Sequence, residues 1–227
     1  MKVRIRFSKT GALVYIGHLD VMRYFQKLFR RSGIPVAYTE GFSPHQILSF
    51  SHPLPLGMES TGEYADVELT ERITTKEALM NMRKMSVPEI EILSFKELPD
   101  KCDNAMASVS AAKYEVMFEK DMLFSDISAA ANDFMSKEEV IVLKRSKKNE
   151  KEVNIRPLVY ELEADEKSGC VRMLVSSGSV DNIKPELVIS AMLHGTKMET
   201  YDLKMKRIDQ YTGDDLISLD DIGKEII

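Results

Sequence analysis

A period-two alternation at the N-terminus gives way within a dozen residues to a period-3.6 stripe, and this order of patterns recurs along the 227 residues. Val3, Ile5 and Phe7 fall on one face of a strand, with Lys2, Arg4 and Arg6 on the other. After a turn at Lys9-Thr10-Gly11, Met22, Phe25, Leu28 and Phe29 recur at helical spacing between Leu19 and Ser32, and Gly33 follows as a C-cap ahead of Pro35. Pro35 to Thr39 reads as a short strand, Glu63 to Thr70 alternates again, Thr74 or Thr75 caps a helix reaching about Met85, and Glu89 to Phe95 closes the series as a strand. Strand-helix-strand-strand-helix-strand is the order of a ferredoxin-like βαββαβ unit. The second half repeats the topology, though not the residues. Lys113–Glu119, Val140–Lys144, Val153–Leu162, Val171–Ser176 and Tyr201–Ile208 read as strands, with helices over Phe124–Met135 and Ile183–Leu193. The expected fold class is therefore α+β, with tandem ferredoxin-like units and antiparallel sheets over residues 1–105 and 106–212. The stretch 213–227 reads as a tail without an evident core role.

Charge is distributed unevenly along this frame. The whole chain carries a formal net charge of −5, yet up to residue 46 Lys2, Arg4, Arg6, Lys9, Arg23, Lys27, Arg30 and Arg31 face only Asp20 and Glu40. A basic N-terminal stretch is joined to an acidic remainder, which points to an anionic ligand at that end. Cys102 and Cys170 form neither a CxxC nor a Cys/His ligand cluster, so neither zinc, an iron–sulfur cluster nor a disulfide framework is indicated, and a reducing, cytoplasmic setting fits. No segment has the length of a membrane span and the N-terminus lacks a leader pattern, so no membrane or export role is expected. No cofactor is implied.

Four cations, Arg23, Lys27, Arg30 and Arg31, lie at i, i+4, i+7 and i+8 beside the apolar stripe of the first helix, with no acid four residues away to balance them. They form either a solvated face or a face for phosphates. Arg4 and Arg6, with Lys9 at the strand's end, extend the basic surface unless Asp66 and Glu68 on a neighbouring strand neutralise them as a cross-strand ladder. Gly17-His18-Leu19-Asp20 opens the helix, where free backbone N–H groups favour an anion. His45 arrives in Glu40-Gly41-Phe42-Ser43-Pro44-His45, with Ser43 as a further polar contact and His52 close behind. Should this loop fold over the helix start, His18, Glu40 and His45 form an acid/base set. No HxH or HxxxH spacing supports a metal. Pro53-Leu54-Pro55-Leu56-Gly57 reads as a rigid connector. In the second half, Lys144, Arg145, Lys147 and Lys148 sit at a hairpin tip and Arg156 follows in Asn154-Ile155-Arg156-Pro157, a second basic patch or a solubilising one.

Taken together, Arg4-Ile5-Arg6-Phe7-Ser8-Lys9, Gly17-His18-Leu19-Asp20 with Arg23, the stretch Tyr38 to His45, Ser49-Phe50, Pro53 to Gly57 and Gly62-Glu63-Tyr64 resemble the bacterial radical-SAM-linked protein family, a domain of unknown function. The likeness runs over essentially the whole chain and is most specific in the first 70 residues; Asn154 stands where the family is expected to carry Asp. It implies a protein that works beside, or fused behind, a radical SAM enzyme. Because the chain lacks a CxxxCxxC motif, it would be the accessory part. Family neighbourhoods imply RNA or ribosome metabolism. In architecture alone the chain is also similar to the CRISPR repeat-processing endoribonucleases, whose glycine-rich C-terminal loop has no counterpart after Leu193. The expected function is thus that of an accessory protein presenting RNA, such as tRNA or rRNA, or another anionic substrate to a radical SAM partner, without catalysis of its own. The alternative is a metal-independent RNA-processing enzyme using His18 or His45 as acid or base.

Overall fold

The computed structural model describes residues 1–118, 124–145, 150–165, 169–178, 181–194 and 203–227. They form two compact units, Met1–Ser110 with Arg207–Ile227, and Ala111–Lys206. The first contains β1 (Lys2–Lys9), α1 (His18–Ser32), β2 (Leu48–Phe50), β3 (Glu59–Glu68), α2 (Thr75–Met85), β4 (Ile92–Glu97) and the single turn α3 (Ala105–Ser108). Its antiparallel sheet runs β4-β1-β3-β2, the ferredoxin-like order. The alternation read from the sequence sets the faces: Val3, Ile5 and Phe7 pack with Phe25, Leu28 and Phe29 of α1 in the main core. Gly33, at φ 69°, ends α1 by donating its N–H to the Phe29 carbonyl, and the Thr74 hydroxyl caps α2 by accepting from the Glu77 N–H. The strand expected at Pro35–Thr39 is reduced to isolated bridges, Val36 to Leu69 and Tyr38 to Gln46.

The second unit holds β5 (Ala111–Phe118), α4 (Phe124–Ser136), β6 (Ile141–Arg145), β7 (Glu150–Asn154), β8 (Val159–Asp165), β9 (Cys170–Ser176) and α5 (Pro185–Leu193). Its sheet orders β5-β9-β8, antiparallel throughout, and β6 and β7 form a separate hairpin. The single strand expected over Val153–Leu162 is instead two, divided by a 3-10 turn at Arg156–Leu158. Pro157 supplies no ladder donor, and the Asn154 side-chain carbonyl accepts from the N–H groups of Val140 and Arg156, closing the hairpin. That capping role calls for a side-chain acceptor, which Asn and Asp supply alike.

The C-terminal stretch departs most from the sequence-based expectation. In β10 (Leu203–Thr212) the division falls after Lys206, so Arg207–Ile227 belongs to the first unit instead of completing a 106–212 domain followed by a separate tail, and the tail is a docking segment. Beyond it β11 (Ile217–Ser218) pairs back on β10. Leu219 is fully buried, and Ile226 enters the main core, where its backbone exchanges hydrogen bonds with Thr75. A backbone bridge between Lys224 and Glu97 and the contacts of Asp220 with Ser94 and Lys96 complete its docking. Gly62 permits the close approach of β3 to β10, since a Cβ there would lie 2.5 Å from the Asp209 Cα and the Ile208 carbonyl.

Covered in this way, the sheet face opposite α1 becomes an interior. Arg4, 1% exposed, reaches Asp66 through Nε at 2.8 Å and Nη2 at 2.9 Å, and donates also to the carbonyls of Leu219 and Asp103. Asp66 accepts in addition from the Ala105 N–H at 2.7 Å. Burial pushes the Arg4 pKa down, but the hydrogen bonds and charge of Asp66 outweigh it and the guanidinium stays charged. The ladder between Arg4 and Asp66 is therefore real, and its register is direct. Among the described residues no helix is long and apolar enough to cross a membrane.

Asp66→Asn leaves a buried guanidinium without its counter-charge, and we expect it to lower the unfolding free energy by about 3–5 kcal/mol. The double variant Arg4→Met/Asp66→Leu should recover most of that loss. Urea unfolding of the three proteins checks this; a cost for Asp66→Asn no larger than that of an exposed pair contradicts it.

Candidate functional site

Of four cations expected on a binding surface, Arg4 and Lys9 are buried and Arg6 and Arg156 are partly exposed. Arg4 is buried against Asp66. Lys9, 3% exposed, donates from Nζ to the carbonyls of Ile16 at 2.9 Å and Val14 at 3.4 Å, and burial pulls its pKa below the ordinary lysine value, with Glu63 opposing and Arg207 reinforcing the shift. Arg6 donates to the carbonyls of Thr61 and Ile208, lies 3.6 Å from Asp209 and stands over the Tyr64 ring. Arg156 donates to the carbonyls of Met135 and Val159. In each case the cation donates to backbone carbonyls, which engages its N–H groups within the fold.

The cations of α1 present the opposite picture. Arg23, Lys27, Arg30 and Arg31 are all exposed. Arg23 meets Asp20 at 3.2 Å, so an acid three residues away, not four, partly balances this face. Arg30 donates to the Gln26 carbonyl; Arg31 reaches the Met85 carbonyl and lies 6.0 Å from the Tyr24 ring. Among the described residues Lys27, Arg30 and Arg31 have no ion-pair partner. They sit toward the C-terminal end of α1, where the helix dipole favours positive charge.

From that end the chain runs through residues 34–38 into the histidine-bearing loop. The loop is closed on itself: Thr39 N–H donates to the His45 carbonyl, His45 N–H donates to Thr39 Oγ1, and His45 Nδ1 lies 3.1 Å from the same hydroxyl. Glu40, Ser43 and His45 are exposed, and Phe42 at the tip is fully so. Tyr38 is half-exposed. The structure does not assemble the expected acid/base set. His18 packs edge-on to Phe50 at 5.4 Å and lines a cavity of about 20 Å³ with Lys9 and Glu63. His45 lines a different cavity, of about 280 Å³, beside Gln46 and Glu68. Among the described residues no group of three His, Cys, Asp or Glu side chains is placed to hold a metal.

A buried polar cluster next to His18 escaped the sequence reading. Arg207, 1% exposed, forms a two-point pair with Glu63 at 2.8 and 2.6 Å and donates to the His52 carbonyl. Gln210 donates to Ser51 Oγ and the Gly62 carbonyl. An acid at position 63, in phase with inward-facing Ala65 and Val67, was the available signal. Its partner lies 144 residues away and carries none. Burial, reinforced by Arg207, holds His52 below the ordinary histidine range. In the second unit Lys144 is exposed and donates to the Asn182 carbonyl; Arg145 ends β6, and Lys147 and Lys148 lie outside the described residues.

Residues 2–185 match the sequence model of a family described as "Uncharacterized protein conserved in bacteria (DUF2344)". No curated protein matches the chain. Among solved structures, one described as "Crystal Structure of a Cbf5-Nop10-Gar1 Complex" contains a similar chain, at 14% identity and a TM-score of 0.53, with 96% of this chain and 53% of that one covered. This is a likeness of fold, and it extends over about half of the other chain's length.

Because the folded state depresses the His52 pKa, the unfolded chain takes up its proton first, and this contribution to stability falls as pH drops through about 6.5 toward the folded value. His52→Asn should remove that part of the pH dependence, so that unfolding free energies of wild type and variant, compared between about pH 8 and pH 5.5, diverge in slope on the acid side. Parallel slopes contradict the assignment.

Proposed function

The chain belongs to the bacterial DUF2344 family, and from that premise we propose that it is a cytoplasmic RNA-binding accessory protein whose contact surface is α1 and the loop that follows it. The observation that carries this reading is the exposed, largely unpaired row of Arg23, Lys27, Arg30 and Arg31 on one helix of an otherwise acidic protein. Such a row matches the spacing of a nucleic-acid backbone and gains affinity by releasing counterions. Exposed Phe42 and half-exposed Tyr38 in the adjoining loop offer faces on which unpaired bases stack, which favours single-stranded RNA or an RNA loop over a regular duplex.

The resemblance to radical-SAM-linked proteins supplies the partner: a radical SAM enzyme to which this chain delivers RNA. The chain then needs no acid/base chemistry of its own. The separate placement of His18 and His45, on different cavities, weighs in the same direction and against the RNA-processing alternative.

Fluorescence anisotropy of a labelled, unstructured RNA oligonucleotide tests the reading. Affinity should fall steeply with salt, with a log–log slope of about −0.7 per phosphate contact. Arg23→Gln, Lys27→Gln and Arg30→Gln should each weaken binding and reduce that slope by about 0.7 to 1, while Lys144→Gln leaves it unchanged. An affinity indifferent to salt and to the three substitutions contradicts the proposal.

A further inference from the structure

The cavity of about 280 Å³ beside His45 is built wholly within the first unit, from β2, the end of β3 that holds Asp66 to Glu68, and the segment through Leu98 and Asp103. Its apolar lining includes Ile47 and Leu98, neither of which belongs to the main core, whereas Leu48 and Val67 pack into that core. Gln46 also lines it and is 6% exposed. The Gln46 Nε2 donates to Tyr38 Oη at 3.3 Å, but Oε1 is buried with no hydrogen-bond partner. An amide carbonyl left in that state costs about 1–3 kcal/mol. The bridge of Gln46 to Tyr38 and the flanking hydrogen bonds of Ile47 with Ala37 and Glu68 fix the backbone on either side.

Charge narrows what fits. Asp66 is neutralised by Arg4, so the carboxylates of Glu68 and Asp103 outnumber the one lysine on the wall, Lys2. A phosphate is repelled here. A neutral, flat group with apolar faces and N–H donors on its edge is accepted: the faces meet the aliphatic walls, and the donors meet the Gln46 carbonyl and the carboxylates. We propose that this cavity receives one unstacked nucleobase that presents N–H donors, with the sugar–phosphate chain left outside. The inference rests on the RNA reading above for the origin of the base, and it assigns the cavity and the helix separate tasks, base recognition and phosphate attraction.

Calorimetric titration of the full chain with nucleosides, which carry no phosphate, separates the two. Guanosine, cytidine or adenosine, each with an exocyclic amino group, should bind more tightly than uridine, and with little dependence on salt. Gln46→Leu should weaken binding at least about tenfold, as loss of a paired base-edge contact does, with thermal unfolding confirming that the variant is folded. Leu98→Trp, which fills the cavity without touching the amide, should abolish binding by volume. Arg30→Gln should leave nucleoside binding intact. If no nucleoside binds while RNA still binds in a salt-dependent way, the cavity holds water alone and this inference is overturned, with the helix reading standing. Equal nucleoside affinity in wild type and Gln46→Leu overturns it as well. Nucleoside binding that is lost in Gln46→Leu, in a chain whose RNA affinity ignores Arg23, Lys27 and Arg30, supports the cavity and overturns the helix reading.

Discussion

Arg4 and Asp66 face each other across β1 and β3 at a point almost closed to water, and much of the first unit is arranged to make that possible. An ion pair of this kind loses hydration on both partners, and it is tolerated only where further polar groups complete the shells. The carbonyls of Leu219 and Asp103 and the Ala105 N–H are those groups. Two come from α3 and the residues before it and one from the last nine residues of the chain, so the C-terminal stretch must return to the first sheet. A second buried pair, Glu63 with Arg207, fastens β10 to β3 three residues away on the same strand. Neither pair need add net stability. Both penalise alternative registers, since a one-residue slip of β1 along β3 would set Arg4 against the apolar position of Ala65.

The same arrangement decides which charges are available for function. The N-terminal basic excess is large in the sequence, but Arg4 and Lys9 are buried and Arg6 is engaged with carbonyls and Asp209, so the exposed cations are Lys2 and the row on α1. A helix can display cations on one face while burying Phe25, Leu28 and Phe29 on the other, whereas a strand whose two faces are both covered cannot. Placing the row toward the helix C-terminus also avoids the repulsion that cations suffer at the positive end.

Local patterns in the sequence carried most of the first unit. The alternation through Phe7, the stripe of α1 and its Gly33 stop, and the Thr74 cap each follow from short-range physics, and the βαββαβ order followed from them. Long-range pairings were not legible in the same way. Nothing near Arg207 marks it as the partner of Glu63, and Leu219 and Ile226, among the apolar residues of a short acidic stretch, show no periodicity that names the sheet they cover. Pro157 did give notice of the break between β7 and β8. For the candidate site, the spacing of Arg23, Lys27, Arg30 and Arg31 predicted their shared exposed face, while the sequence proximity of His18, Glu40 and His45 misled, because β2 and the loop before it carry His45 to a cavity other than the one His18 lines. Gln46 offered no signal at all, since an unpaired amide is a property of its surroundings.

Ultraviolet crosslinking of bound RNA to the full chain, with the adducts located by mass spectrometry, addresses the central claim most directly. Crosslinks concentrated between Arg23 and Gln46, at the α1 cations and at Tyr38, Phe42 and His45, are the predicted result. Crosslinks confined to the second unit, or RNA retained without any adduct in that stretch, would contradict it.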